Sequence, residues 1–343
     1  MKKIFLAMLL LATFVLSGCN TQAAVNQNEK DVKGDLKISM LKVGHGDAIL
    51  IRTKEQTILI DTANVDERER FIRELKKLSV TKIDKLILTH PHADHIGGAR
   101  MLIEPIKKQL VDYPYLKKIS VSEVYDNGVP YGSTIYKNYM KTVKKTGIHY
   151  QTLKVGDTLD FGGGVKFKIL FPTTELVEDM KNGKSYEEDR IYRMNNTSIV
   201  GKLTYKDFSM MFTGDAEKEA EAMILKNNDA KDLKCDVLKS GHHGCRSSST
   251  KKFVAAINPS VVLISAKNRV ENNYPKGSPH LKPLENYLAK GVKYQNIFCT
   301  QWNGTITLTS DGKSFSVKPE VVNENWVDEW MTKKREALSK GNS

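Results

Sequence analysis

Six residues, His90-Pro91-His92-Ala93-Asp94-His95, constrain this chain more than any others. They follow residues 83–89 (IDKLILT), a short and nearly continuous apolar run of the kind that forms a strand buried on both faces. A lone histidine is usually structural, but three histidines and an aspartate this close, followed by Gly97-Gly98, do not fill a core. In an extended segment His90 and His92 point to one side. The turn that follows brings Asp94 and His95 round to a second position. Such a cluster suits two adjacent divalent ions: imidazole favours zinc and other first-row metals, and carboxylate oxygen also admits harder ions such as manganese.

The rest of the chain alternates strand and helix patterns. Residues 36–43, 47–52 and 57–61 are apolar segments joined by short turns, which predicts an antiparallel meander. Residues 67–78 place Phe71, Leu75 and Leu78 at helical spacing, and Gly97-Gly98 opens a helix to residue 106. Residues 121–139, rich in Tyr, Asn and Gly, are expected to form a loop and then a helix over a site. Strands lie in 155–171 around Gly162-Gly163-Gly164, a hairpin turn rather than a phosphate loop because no Gly-Lys-Ser/Thr follows. Residues 173–193 are charged and helical or loose. A hairpin spans 198–205 and 207–213, ending at Gly214-Asp215, and residues 216–226 form a helix. Strands at 237–239 and 261–265 flank a helix at 250–257; a helix at 283–290 and a strand at 304–310 follow, and the chain from 323 on is helix-prone. Strand-rich halves flanked by helices predict a layered α/β sandwich.

The N-terminus reads as an address. Lys2 and Lys3 precede an apolar run over 4–16, shorter than the ~20 residues of a spanning helix, and then Ser17, Gly18 and Cys19. This is signal-peptide layout, and Leu16-Ser17-Gly18-Cys19 resembles a bacterial lipobox with Cys19 as the lipidated residue. The expected organisation is a signal peptide over 1–18, a lipid-anchored flexible tether over 19–34, the main folded domain over 35–318 and a charged helical tail over 319–343. It places the protein outside the cytoplasm, held to the cell membrane by its anchor. A formal charge of +13 favours anionic partners such as nucleic acid, teichoic acid or lipid headgroups. Beyond Cys19 three cysteines remain, Cys235, Cys245 and Cys299, without CxxC spacing, so no disulfide framework is expected.

The 90–95 segment matches the His-x-His-x-Asp-His signature of the metallo-β-lactamase superfamily. Further matches, in order along the chain, resemble the soluble hydrolase domain of ComEC-type competence proteins: Val43-Gly44-His45-Gly46-Asp47-Ala48, Ile58-Leu59-Ile60-Asp61-Thr62, Asn195-Asn196-Thr197-Ser198, Phe212-Thr213-Gly214-Asp215-Ala216-Glu217, Leu238-Lys239-Ser240-Gly241-His242-His243-Gly244 and Ser278-Pro279-His280. They run from about residue 36 to 317, without the membrane-embedded channel part of such proteins. The resemblance implies the four-layer αβ/βα sandwich of the metallo-β-lactamase fold. It implies His90 and His92 on one metal, Asp94 and His95 on the second, Asp215 bridging both, and His242 as a further ligand to the second metal. His243 and His280 are candidates for ligand or proton donor, with Asp94 as the group that takes a proton from water. Asp47 and Asp61 fit as carboxylates that orient imidazoles. Many relatives carry another His between the first cluster and the bridging Asp; here only His149 falls there, leaving Asn196 or a water to complete one metal. Ala63 stands where Gly often follows Asp-Thr, and Ser278 where His often precedes Pro-His.

The function implied is hydrolysis of a phosphodiester, DNA foremost, through water activated by two divalent ions, zinc or manganese, with no obligate protein partner. Alternatives are an envelope phosphodiesterase, such as one that removes phosphorylcholine from teichoic acid, and a non-catalytic lipoprotein that captures DNA on its basic surface.

Overall fold

The computed structural model describes residues 24–25, 32–185, 187–267, 269–271 and 274–340. The signal peptide and Cys19 lie outside them, as does the expected tether apart from 24–25 and 32–34. Ala24–Val25 runs parallel to the strand Ser314–Pro319.

Two mixed sheets face each other. The first has nine strands and holds the expected meander: Leu36–Met40, Ile49–Arg52 and Thr57–Ile60 pair antiparallel in sequence order. Lys82–Ile87, Ser120–Asp126 and His149–Thr152 continue it in parallel. The second sheet has seven strands; Phe208–Phe212, Val237–Lys239, Val261–Ile264 and Ile297–Cys299 are its parallel half. The two halves of the chain are not two separate sheets, because Ile306–Ser310 returns from the second half to pair with Leu36–Met40.

Strand apolarity explains the layering. Ile49, Ile51, Ile58 and Ile60 of the first sheet meet Phe167, Leu203, Met210, Phe212, Val237 and Leu263 of the second in one core between the sheets. Their neighbours Leu50, Leu59 and Leu86 point the other way, against Phe71 and Leu75 of the helix Arg68–Lys77 and Tyr139 and Val143 of the helix Thr134–Thr146. Met211, Leu238, Val262 and Ile264 likewise face Ile224, Phe253, Leu284 and Tyr287 on helices of the opposite outer layer. A strand with a core on both faces is apolar at nearly every position, as are residues 49–51, 58–60 and 261–264, whereas Lys82–Ile87 keeps Asp84 and Lys85 half-buried. The result is the four-layer αβ/βα sandwich.

Local differences from the sequence expectations have clear causes. Residues 121–139 begin with a strand, Ser120–Asp126, whose period-two apolar pattern is short and capped by the polar turn after it. The helix opened by Gly97-Gly98 ends at Ile103, short of residue 106, and a separate single turn, Ala93–Ile96, precedes the glycines and carries Asp94 and His95. Gly162, Gly163 and Gly164 form the expected hairpin turn, all with positive φ. The tail carries the helix Trp326–Ser339, which packs Trp326, Val327, Trp330 and Met331 into the second sheet's outer core. Cys235, Cys245 and Cys299 are free thiols.

One position tests the packing on the inner face of the second sheet. A Cβ on buried Gly201 would fall within van der Waals contact of the Phe167 ring, itself stacked on Phe161 at 5.3 Å and edge-on to Phe212 at 5.7 Å. The ring has nowhere to retreat. Gly201→Ala is therefore expected to destabilise the fold by about 1–3 kcal/mol, read as a lower denaturant midpoint at unchanged slope. A midpoint equal to that of the parent chain would mean that the Phe167 ring is not packed this closely over Gly201 on the inner face of the second sheet.

Candidate metal centre

The site forms at the ends of strands from both sheets. Asp61 ends the Thr57–Ile60 strand, His90 follows Lys82–Ile87, Asp215 follows Phe208–Phe212, and His242 and His243 follow Val237–Lys239. Several of these residues have left-handed backbone: Asp61 (φ 60°), Ala63 (φ 59°), His242 (φ 45°) and His243 (φ 54°). Such conformations cost of order 1–3 kcal/mol each outside glycine and persist only where surroundings over-determine them. They also explain why glycine suits the position of Ala63.

Three loops are tied together by backbone bonds. Asp47 N–H donates to Asp94 C=O, Ala63 N–H to Asp47 C=O, and Thr62 N–H to His95 C=O. Gly46 lies so close to the Asp94 carbonyl that no Cβ would fit, and its φ of 105° suits glycine alone.

The imidazoles are held from behind. Asp61 accepts from Thr89 N–H and Oγ1–H, both at 2.8 Å, and its Oδ2 holds His95 Nδ1 at 2.8 Å. His95 Nε2, fully buried, has no hydrogen-bond partner and faces Asp215 Oδ2 at 3.3 Å. Ser265 C=O holds His243 Nδ1 at 2.9 Å, leaving His243 Nε2 3.2 Å from Asp94 Oδ2 and 3.4 Å from Asp215 Oδ2. The His90 ring lies 4.1 Å from the His95 ring, tilted by 51°, with its Nε2 3.1 Å from His92 Nδ1. Tyr131 lies edge-on to His92 at 5.5 Å.

Asp94, His95, Asp215 and His243 place one ligand atom each within 4.8 Å of one another. Two carboxylates and two imidazoles presenting Nε2, one of them the orphaned His95 nitrogen, are a donor set that fits a divalent cation. His90 and His92 lie beside it.

The charge balance has an internal member, Lys239, which lies in the Leu238–Gly244 motif but to which the sequence assigned no role. Lys239 is 1% exposed. Its ammonium contacts Asp47 Oδ2, donates to Gly214 C=O at 2.6 Å and lies 3.9 Å from Asp215 Oδ1. Burial would raise the Asp47 pKa, but Lys239 and His243 outweigh it and hold it at about 2. Burial likewise opposes ionisation of Asp215 and Asp94; His243 and His95 override it at Asp215, as His95, His243 and His45 do at Asp94, so both stay well below the usual carboxylate range. Burial would lower the pKa of His95 and His243, yet the carboxylates around them raise both. His90 and His92 move the other way, lowered by burial and by His95.

The remaining sequence candidates are more dispersed. His242, partly exposed, sits at the edge, its Nε2 3.8 Å from Asp215 Oδ2. Asn196 is buried but committed elsewhere, donating to Arg190 C=O at 2.9 Å and accepting from Glu217 N–H at 3.0 Å. His280 Nδ1 accepts from Lys282 N–H at the start of the helix Leu281–Ala289, and its charged neighbours are Lys334, Arg246 and Glu285. His149 is exposed on its strand. Two residues gain weight from the structure: His45, whose Nε2 is 3.2 Å from Asp94 Oδ2, and Glu217, which binds His242. Both lie in the quoted motifs, His45 in Val43–Ala48 and Glu217 in Phe212–Glu217, but nothing in those motifs gave either a role.

Asp61→Asn keeps the shape, and Asn tolerates the left-handed backbone. It removes the charge behind His95, so divalent-cation affinity should fall by about 10–100-fold in equilibrium titration while the fold survives. Affinity equal to the parent would show that Asp61 serves the fold alone.

Residues 41–176 match the family model described as Metallo-beta-lactamase superfamily. The chain is 28% identical over 304 residues to ComE operon protein 3 of Bacillus subtilis, covering 82% of this chain and 34% of that protein. It is 24% identical over 261 residues to Competence protein ComA of Neisseria gonorrhoeae, covering 76% of this chain and 30% of that one. The chain thus spans about a third of the length of these relatives. Among solved structures, Rm3 metallo-beta-lactamase aligns over 92% of this chain and 94% of its own, at 12% identity and a TM-score of 0.36. The family match lies across the whole of the 90–95 cluster and agrees with the resemblance carried by that segment.

Proposed function

We propose that the chain is a metal-dependent phosphodiesterase that cleaves DNA outside the membrane, held there by a lipid on Cys19. The observation that carries the hydrolytic part is the convergence of His95 Nε2 and His243 Nε2 on Asp215 Oδ2 in a buried site. Similarity to proteins named for competence and the +13 charge support the DNA reading.

Asp94, His95, Asp215 and His243, with His90 and His92 beside them, would hold two divalent ions, zinc or manganese. When bound, such ions polarise a phosphoryl oxygen and lower the pKa of water so that it can attack near neutral pH. The chain's own groups do the rest. Asp94 Oδ2, 3.2 Å from both His45 Nε2 and His243 Nε2, accepts the proton of the attacking water and can pass it on. His45 is the more exposed of those two imidazoles, with 37% of its side chain open, and is placed to return a proton to the leaving oxygen. Lys239 and Asp61 keep Asp215 and His95 in place.

Bis-p-nitrophenyl phosphate and plasmid or single-stranded DNA, each with manganese or zinc, test this with the chain freed of its first 18 residues. Turnover of both is expected, with a loss of about three orders of magnitude in Asp94→Ala or Asp215→Ala. Cleavage of the small ester but not of DNA would leave an envelope phosphodiester as the substrate class. Metal-dependent DNA retention without cleavage would replace the enzyme with a capture protein.

The role of His45 makes a separate prediction. His45→Gln should lower kcat on DNA by about 10²–10⁴-fold with KM nearly unchanged, because its alkoxide leaving group needs a proton. Bis-p-nitrophenyl phosphate, whose leaving group is stable as an anion, should lose far less. Equal losses on the two substrates would remove His45 from proton transfer.

A further inference from the structure

The loop between the strand Ser120–Asp126 and the helix Thr134–Thr146 carries a tyrosine whose place the hydrolytic chemistry does not explain. Tyr131 lies edge-on to His92 at 5.5 Å, the two rings inclined by 64°. Both residues are half-buried, as is Asp94, so the pair stands on the open side of the metal centre. Neighbouring tyrosines have evident partners. Tyr125 OH donates to Glu123 Oε2 at 2.7 Å, and Tyr139 OH and Tyr150 OH donate to the buried carboxylate of Asp126 at 3.0 and 2.8 Å. Among the described residues the Tyr131 hydroxyl has no such partner, and no ring other than His92 lies against it.

The loop is built to hold that ring still. Buried Asn127 donates from Nδ2 to Thr197 C=O at 2.9 Å and to Thr197 Oγ1 at 2.8 Å, while its Oδ1 accepts from Val129 N–H at 3.1 Å. Asp126 Oδ1 accepts from Gly128 N–H at 2.8 Å, and Gly128 makes the turn with a left-handed φ of 70°. Val129 is buried, and the Ser133 hydroxyl caps the following helix at Tyr136 N–H. An aromatic side chain on a loop already ordered loses little freedom when something binds it.

We propose that Tyr131 stacks on the nucleobase beside the phosphodiester held at the centre, and so selects single-stranded over paired nucleic acid. A ring packed against His92 stands next to the metal cluster, where it meets what is attached to the phosphate. In a nucleic acid strand that is a sugar and its base. Base–aromatic stacking tolerates every sequence, because every base has a π face. A base within a duplex is already stacked, and a ring fixed on a loop reaches only one that is unpaired. The proposal deepens the DNA reading and rests on it.

The metal-loaded full chain is given strands of equal length: oligothymidylate, a chain of abasic deoxyribose phosphodiesters, and a duplex. The parent is expected to favour oligothymidylate over the abasic chain by about 5–150-fold in kcat/KM, and to favour it over the duplex. Tyr131→Ala should bring the first ratio close to one, and Tyr131→Phe, which keeps the ring, should preserve it. Tyr131→Leu fills the space without a π face, should behave as Tyr131→Ala, and decides the matter if the smaller variant folds poorly. Damage to the loop or to His92 lowers turnover of both strands together, so a parental ratio in Tyr131→Ala or Tyr131→Leu would overturn the proposal. Loss of the ratio in Tyr131→Phe would make the hydroxyl the reader and overturn stacking. Fluorescence anisotropy of the same strands with the metal-stripped chain reads the ratio as affinity without turnover, and equal parental affinities would overturn the proposal. A parent that cleaves both single strands equally would overturn it too, leaving the phosphodiesterase reading in place. Turnover of bis-p-nitrophenyl phosphate but of neither strand would overturn the DNA reading itself.

Discussion

The centre depends on one crowded contact, the convergence of buried carboxylates and imidazoles on Asp215. Asp47, Asp61 and Asp215 are buried and Asp94 is nearly so, and four carboxylates this close repel one another in a medium that screens poorly. They are tolerated because His95 and His243 stand between them and because Lys239 sits beneath, touching Asp47 and facing Asp215 Oδ1. The orientation of Asp215 follows: Oδ1 looks to the ammonium, and Oδ2 to His95, His243 and His242. A carboxylate expected to bridge with one oxygen per metal thus presents Oδ2 to all three imidazoles.

The scaffold has to deliver these groups from two sheets. Strand ends of both sheets meet at one edge of the sandwich, and the loops that carry the ligands cross-bond their backbones there. Asp47 N–H on Asp94 C=O and Thr62 N–H on His95 C=O make the first sheet's loops a single unit. Asn127 Nδ2, bonded to Thr197 C=O at 2.9 Å, fastens the loop bearing Tyr131 to the second sheet's loops. Gly214 C=O, shared by Lys239 Nζ and His242 N–H, ties the Asp215 turn to the His-His turn. Left-handed residues cluster at this edge because side chains are aimed here against local preference.

The chain spans only about a third of the length of its competence-protein relatives. What those proteins do as wholes does not transfer through a shared domain. The substrate proposal therefore leans on charge and on the branch of the family, and the metal centre on geometry.

The 90–95 cluster was legible because three imidazoles and a carboxylate packed into six residues suit a metal far better than a core or a solvated loop. The layered fold was legible because doubly buried strands are apolar throughout. Asp61 was legible too, as an aspartate ending a strand. His45, Lys239 and Glu217 were not: each acts on a residue far off in sequence, as His45 does on Asp94. His242 and His243 show the limit best. The sequence determined that two histidines follow the strand Val237–Lys239, and only the tertiary structure decided their separate directions. Two adjacent positive φ values turn the rings apart, and the anchors that hold them, Glu217 and Ser265 C=O, come from other loops.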